Sequence, residues 1–181
     1  MKYSDRLVDD NVTIFLLHGV IQQQIHRVRN YTKKHITVDF CEKFLTDLSV
    51  NGTPLSMDDV IYHVNNRKSY PKKSFVITFD DGFENNYSIA CPLLRNFNIP
   101  ATFYVTTDFI DNNRMSWIDR IEYVIEISDF GTVLVQSETW SFDHTINSKM
   151  EFLDNVRKKL KSQKRIRSRS DCHRHSKTTG I

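Results

Sequence analysis

The sequence predicts an α/β fold built on parallel strands, and three observations predict it. Phe75-Val76-Ile77-Thr78-Phe79 is a continuous apolar run of buried-strand type, ending in Asp80-Asp81-Gly82. Phe83-Glu84-Asn85-Asn86-Tyr87 then leads into Ile89, Ala90, Pro92, Leu93, Leu94 and Phe97, an apolar run read as a helix. Ile99-Pro100-Ala101-Thr102-Phe103-Tyr104-Val105 is β-branched and aromatic and reads as a second buried strand. Strand, turn, helix and strand over about thirty residues make the unit that a parallel crossover requires.

The remaining elements follow in chain order. Val12 to Leu17 reads as a first strand. Val38 to Leu48 carries Phe40, Phe44, Leu45 and Leu48 at helical spacing. Thr53-Pro54-Leu55-Ser56-Met57-Asp58-Asp59 is a turn into another helix, with Ser56 as its cap and Asp59 three residues on. Val60, Ile61 and Val64 would give that helix an apolar face, and Trp117, Ile118, Ile121, Val124 and Ile125 form a third helical stripe. Thr132 to Val135 and Thr139 to Phe142 suit a hairpin around Gln136-Ser137-Glu138. Lys149 to Leu160 reads as an amphipathic helix through Phe152, Leu153, Val156 and Leu160. The aromatic residues are expected mostly in the core.

Chemistry concentrates at Asp80-Asp81-Gly82. Two neighbouring carboxylates resist joint ionisation unless a metal or a basic group sits between them. The glycine permits a tight turn and close approach to a ligand. Active sites of parallel α/β folds lie at the carboxyl ends of strands. A metal site with a general base beside it fits this pattern. So does a plain turn, with Asp81 capping a helix that begins near Phe83. A phosphatase site would also place carboxylates at a strand end, but no phosphate-cradling loop accompanies these. His18 closes the first strand and would lie beside the aspartates. It could serve as an acid or hold a carboxylate, or it could simply bond to backbone.

Thr78-Phe79-Asp80-Asp81-Gly82 resembles the first motif of the polysaccharide deacetylase family, the NodB-homology carbohydrate esterases. Ile99-Pro100-Ala101-Thr102-Phe103-Tyr104-Val105 resembles that family's second strand. Phe15-Leu16-Leu17-His18-Gly19-Val20 is similar to its Tyr-His-x-Val segment, and Ser116 to Tyr123 resembles an insertion in members linked to surface-polysaccharide assembly. The resemblance spans residues 10 to 156. It implies the N-terminal part of a distorted (β/α) barrel of the glycoside hydrolase/deacetylase type, with residues 1–160 as a partial deacetylase domain. It also implies metal-dependent hydrolysis of a carbon–nitrogen, non-peptide bond, removing N-acetyl groups from a sugar or polysaccharide. Carried over by motif, Asp80 is the base and Asp81 a ligand to a divalent metal, usually zinc. The alternative is a non-catalytic remnant or carbohydrate-binding protein of the same fold.

The family's remaining metal ligands are a His-x-x-x-His pair, which this chain lacks. Its seven histidines are His18, His26, His35, His63, His144, His173 and His175, and no two are four apart. Zinc binding is therefore expected to be weak or absent. His63 and His144 read as surface positions, and His173 and His175 lie in a segment unlike the family.

The charge changes sharply along the chain. Residues 157–181 hold ten Lys/Arg and one Asp, a net of +9, against −6 for residues 1–156. Residues 161–181 are read as a basic, disordered tail that cannot bury a core. One reading is a shifted reading frame, which makes the chain a truncated enzyme; the other is a genuine tail for an anionic surface. Interleaved aromatics that could stack on bases are lacking there, so nucleic acid is not expected as a partner. Three cysteines, Cys41, Cys91 and Cys172, are too scattered for a disulfide framework, and Cys91 reads as a core thiol. The N-terminus lacks the apolar run of a signal peptide, and no stretch approaches the roughly eighteen apolar residues of a membrane span. A cytoplasmic setting is expected.

Overall fold

The computed structural model describes residues 2–135 and 137–159. They divide into two compact units. Unit 1 holds residues 2–25 and Thr32–Ser116, and unit 2 holds His26–Tyr31 and the described residues from Trp117 onward.

In unit 1 the elements are β1 (Thr13–Leu17), β2 (Gly19–Ile21), β3 (His35–Thr37), α1 (Val38–Asn51), β4 (Thr53–Pro54), α2 (Met57–Asn65), β5 (Ser74–Phe79), α3 (Cys91–Asn96), β6 (Ala101–Phe103) and α4 (Thr107–Asp111). Strand β5 is buried along its whole length, as its unbroken apolar pattern demands of a strand covered on both faces. It pairs with β1 on one side. On the other side it pairs with β4 at its start and β6 at its end. All these pairings are parallel. Leu17, Phe79 and Phe103 stand in one row, so the carboxyl ends of β1, β5 and β6 meet at one level. The fold is α/β, with the parallel arrangement expected of the N-terminal part of a distorted (β/α) barrel. A second, two-stranded parallel sheet joins β2 to β3, two short strands whose patterns the sequence does not reveal.

Helix α1 starts where Thr37 Oγ1 accepts the Phe40 N–H, and it buries Cys41, Phe44, Leu45 and Leu48 against Phe75, Ile77 and Phe79. Phe40 stays half-exposed, edge-on to Tyr3. The expected cap of α2 is present: Ser56 Oγ accepts the Asp59 N–H at 3.1 Å and Asp59 accepts the Ser56 N–H at 2.9 Å. The expected burial of its apolar face is not: Ile61 is 51% and Val64 62% exposed, and α2 has no buried residue. Periodicity sets which residues share a face, but a face is buried only where another element covers it. Cys91 is half-buried rather than a core thiol, whereas Cys41 is fully buried.

Unit 2 packs α5 (Trp117–Ile127), the antiparallel hairpin of β7 (Gly131–Val135) and β8 (Glu138–Phe142), and α6, a helix over 146–159. Its core is Val28, Ile125, Phe142, Phe152, Leu153 and Val156. The stripe on α5 departs from expectation. Ile125 is buried, but Trp117 and Val124 are exposed, and the second buried residue is Glu122. That carboxylate is compensated: it accepts from Arg157 Nη2 at 3.0 Å and from the Asn30 N–H at 3.0 Å. One turn on, Glu126 accepts the N–H groups of Arg27, Val28 and Arg29 and so fixes that short loop segment. The basic tail and its histidines lie outside the described residues.

Candidate active site

The Asp80–Asp81–Gly82 turn sits at the shared carboxyl end of β1, β5 and β6. The Asp80 N–H donates to the Leu17 carbonyl at 3.0 Å, extending the β1 ladder by one residue. The Tyr104 N–H donates to the Phe79 carbonyl at 2.7 Å on the other side. Asp80 is therefore held between two strands, and its neighbour across the ladder is the segment Leu17–His18.

The chain then reverses through two successive left-handed residues, Asp81 at φ 75° and Gly82 at φ 73°. The left-handed region costs an ordinary L residue roughly 1–2 kcal/mol, least for Asp and Asn, whose short side chains bond locally. At Gly82 a side chain is also excluded by space, since a Cβ there would stand 2.9 Å from Val105 Cγ1. Backbone strain of this kind concentrates at functional sites. The helix that follows is not the regular one expected. Its first full turn is a π-helix, Asn86–Ala90, which runs into α3. Such inserted turns also occur frequently at functional sites. The π turn buries Asn86, which is 4% exposed with neither its amide oxygen nor its nitrogen hydrogen-bonded.

Asp81 does not cap that helix. Its Oδ2 lies 2.9 Å from Lys34 Nζ. The same ammonium lies 4.4 Å from the centre of the Phe83 ring. The next residue, His35, meets Phe83 edge-on at 4.6 Å. Its Nδ1 stands 3.1 Å from Asn85 Nδ2, within hydrogen-bond distance. Gly19 makes room for this pair: a Cβ there would stand 2.5 Å from Asn85 Oδ1 and would also strike the His35 ring.

The structure places Asp80 and Asp81 at the carboxyl end of β5. It sets His18 beside them through the β1 ladder, half-buried. Among the described residues, no hydrogen bond or ion pair joins His18 to either carboxylate. Lys34, His35, Asn85 and Asn86 are the site residues that sequence reasoning misses. Nothing local marks Lys34 or His35, which arrive through the β2–β3 pairing. The paired asparagines just past the turn were the one available signal. His63, expected on the surface, is half-buried on α2 between the rings of Tyr62 and Tyr70.

Among the described residues, no three His, Cys, Asp or Glu side chains gather closely enough to hold a metal ion. A catalytic zinc takes three protein ligands plus water. The described residues do not fit such an ion: Asp81 is a single carboxylate, already paired with an ammonium. Nor is any helix among them long and apolar enough to cross a membrane.

The parallel strands carry two adjacent carboxylates at their carboxyl ends, and comparison gives the chain a family. The family model for polysaccharide deacetylases matches residues 67–174. This chain belongs to the polysaccharide deacetylase family, whose members are generally metal-dependent. A poly-β-1,6-N-acetyl-D-glucosamine N-deacetylase of Staphylococcus aureus (strain MSSA476) is 29% identical over 116 residues, covering 64% of this chain and 39% of the relative. The chain thus spans about two fifths of the length of the curated relatives it matches. Among solved structures, a de-N-acetylase from Aggregatibacter actinomycetemcomitans aligns with TM-score 0.48 at 19% identity, over 71% of this chain and 44% of that one. The Streptococcus pyogenes deacetylase PplD, solved with acetate, aligns with TM-score 0.46 at 19% identity, over 66% of this chain and 54% of that one.

Proposed function

We propose that this chain carries the base-bearing part of a polysaccharide N-deacetylase site. The reaction is hydrolysis of the amide of an N-acetylated amino sugar. Water adds to the acetyl carbonyl carbon, the carbon–nitrogen bond breaks, and acetate and a free amine leave. Asp80 takes the proton from the attacking water, and His18 stands where it can hold or supply a proton nearby. The S. aureus relative points to a β-1,6-linked N-acetylglucosamine polymer as the substrate class. The observation that carries this reading is the position of the Asp80–Asp81–Gly82 turn. It is pinned by backbone bonds between β1 and β6 at the end of the fully buried strand β5. Asp81 is the carboxylate that a divalent cation would use, and its further ligands would have to come from beyond the described residues.

The Lys34–Asp81 pair favours a second reading, in which the chain as it stands keeps the fold without the activity. Acetate release from an N-acetylated β-1,6-glucosamine oligomer separates the two. The 181-residue chain is expected to release acetate no faster than buffer. A chimera that appends the His-x-x-x-His segment of a longer family member is expected to release it catalytically. Catalytic turnover by the unaltered chain would overturn the need for that pair, and an inert, well-folded chimera would favour the second reading.

A further inference from the structure

We propose that Lys34 is the resident counter-cation of Asp81: its ammonium occupies the carboxylate edge that a divalent ion would need and keeps such an ion off the turn. The inference rests on placing the site at this turn. Three observations carry it. The contact is direct, 2.9 Å between Nζ and Oδ2. It is sheltered, with side-chain exposures of 17% for Lys34 and 27% for Asp81. And the lysine is held on both sides. Its ammonium rests 4.4 Å from the Phe83 ring centre, an attraction of cation for ring face, while the adjoining His35 packs on that ring and meets Asn85. A lysine anchored in this way loses little further freedom by pairing, unlike a surface lysine.

The electrostatics follow. Asp81 sits next to a second carboxylate in the chain, and Lys34 brings a positive charge to within 2.9 Å of it from inside the protein. A divalent ion approaching the same oxygen would meet a positive charge a few ångströms away, and repulsion at that range is only weakly screened by salt, whose screening length is about 8–10 Å. The ion would have to displace the ammonium first.

The test is zinc binding by isothermal titration of the full chain. Lys34→Met is expected to bind zinc chloride roughly fivefold more tightly than the unaltered chain, the worth of an ion pair at the upper end of the exposed range. The gain should vanish in Lys34→Met/Asp81→Asn, which subtracts zinc bound by histidines elsewhere. Lys34→Arg should bind as weakly as the unaltered chain. Equal affinity of Lys34→Met and the unaltered chain would overturn the proposal, as would a gain that survives Asp81→Asn. Amine labelling with a succinimidyl ester, mapped by mass spectrometry, decides the matter even if Lys34→Met fails to fold. Lys34 should label severalfold faster in Asp81→Asn than in the unaltered chain, and an equal rate would refute the pairing. These readouts follow Asp81 and Lys34 alone, so their failure leaves the Asp80 assignment standing. That assignment is tested by acetate release.

Discussion

Gly82→Ala is the substitution whose cost the structure specifies most fully. Two terms contribute. A left-handed backbone at φ 73° costs an L residue roughly 1–2 kcal/mol relative to glycine. The new Cβ would also stand 2.9 Å from Val105 Cγ1, 3.2 Å from its Cβ and 3.4 Å from its Cα. Overpacking costs about 1–3 kcal/mol, and the lower end applies because Val105 is 53% exposed and its side chain can turn away. The total is about 2–3 kcal/mol, a large share of the stability of an ordinary domain. Urea unfolding followed by far-UV circular dichroism measures it, and hydrogen exchange at the β5 amides localises the loss to unit 1. Gly82→Ala/Val105→Ala should relieve the contact with Val105 Cγ1 and leave the backbone cost of roughly 1–2 kcal/mol with the closer approach to Cβ. A loss under about 0.5 kcal/mol, the range of an indifferent surface change, would refute the reasoning. Failure of Val105→Ala to relieve any of it would refute the steric part alone.

Three further outcomes follow from the packing. Glu122→Ala in unit 2 strands the Arg157 guanidinium and the Asn30 N–H, and is expected to cost about 3 kcal/mol. Tryptophan fluorescence in urea reads it, since Trp117 and Trp140 both lie in unit 2; a loss below about 1 kcal/mol would contradict the pairing. At Glu126, burial pushes the carboxyl up, but the N–H groups of Arg29, Val28 and Arg27 outweigh it and hold the group below its ordinary value of 4.5. Its contribution is therefore present above that value and lost as pH falls through the depressed one, so amide protection at Val28 and Arg29 should fall on acidification, and a rise would contradict the sign. Finally, β1 pairs with β5 alone among the described residues and leaves Ile14 51% and Leu16 54% exposed. Light scattering should show concentration-dependent association that Leu16→Lys reduces; a monomer at all concentrations would count against an exposed, sticky edge.

What the sequence disclosed was what local physics determines. Strands β1, β5 and β6 were legible from their apolar, β-branched and aromatic runs, but only β5 has parallel neighbours on both sides and is buried throughout; β6, expected to be buried, is half-buried, and Tyr104 and Val105 beyond it are exposed. The α2 cap was legible because Ser56 and Asp59 satisfy each other three residues apart. Burial itself was less legible. Nothing in Ile61 and Val64 says that no element covers them, and nothing in the α5 pattern says that Glu122 finds Arg157, thirty-five residues away. The site divides the same way. Asp80 and Asp81 announce themselves as adjacent carboxylates before a glycine. Lys34 and His35 reach them only because β3 pairs with β2, a contact without local signal. The π turn at Asn86 likewise looks like ordinary helix in sequence.

The most direct measurement is acetate release set beside bound metal in the chimera that carries the histidine pair. If Asp80 is the base, Asp80→Asn keeps the parent's metal content and loses turnover by about a hundredfold or more, the range for removing a general base. Asp81→Asn should instead lose the metal. An Asp80→Asn chimera that releases acetate at the parent's rate would contradict the account.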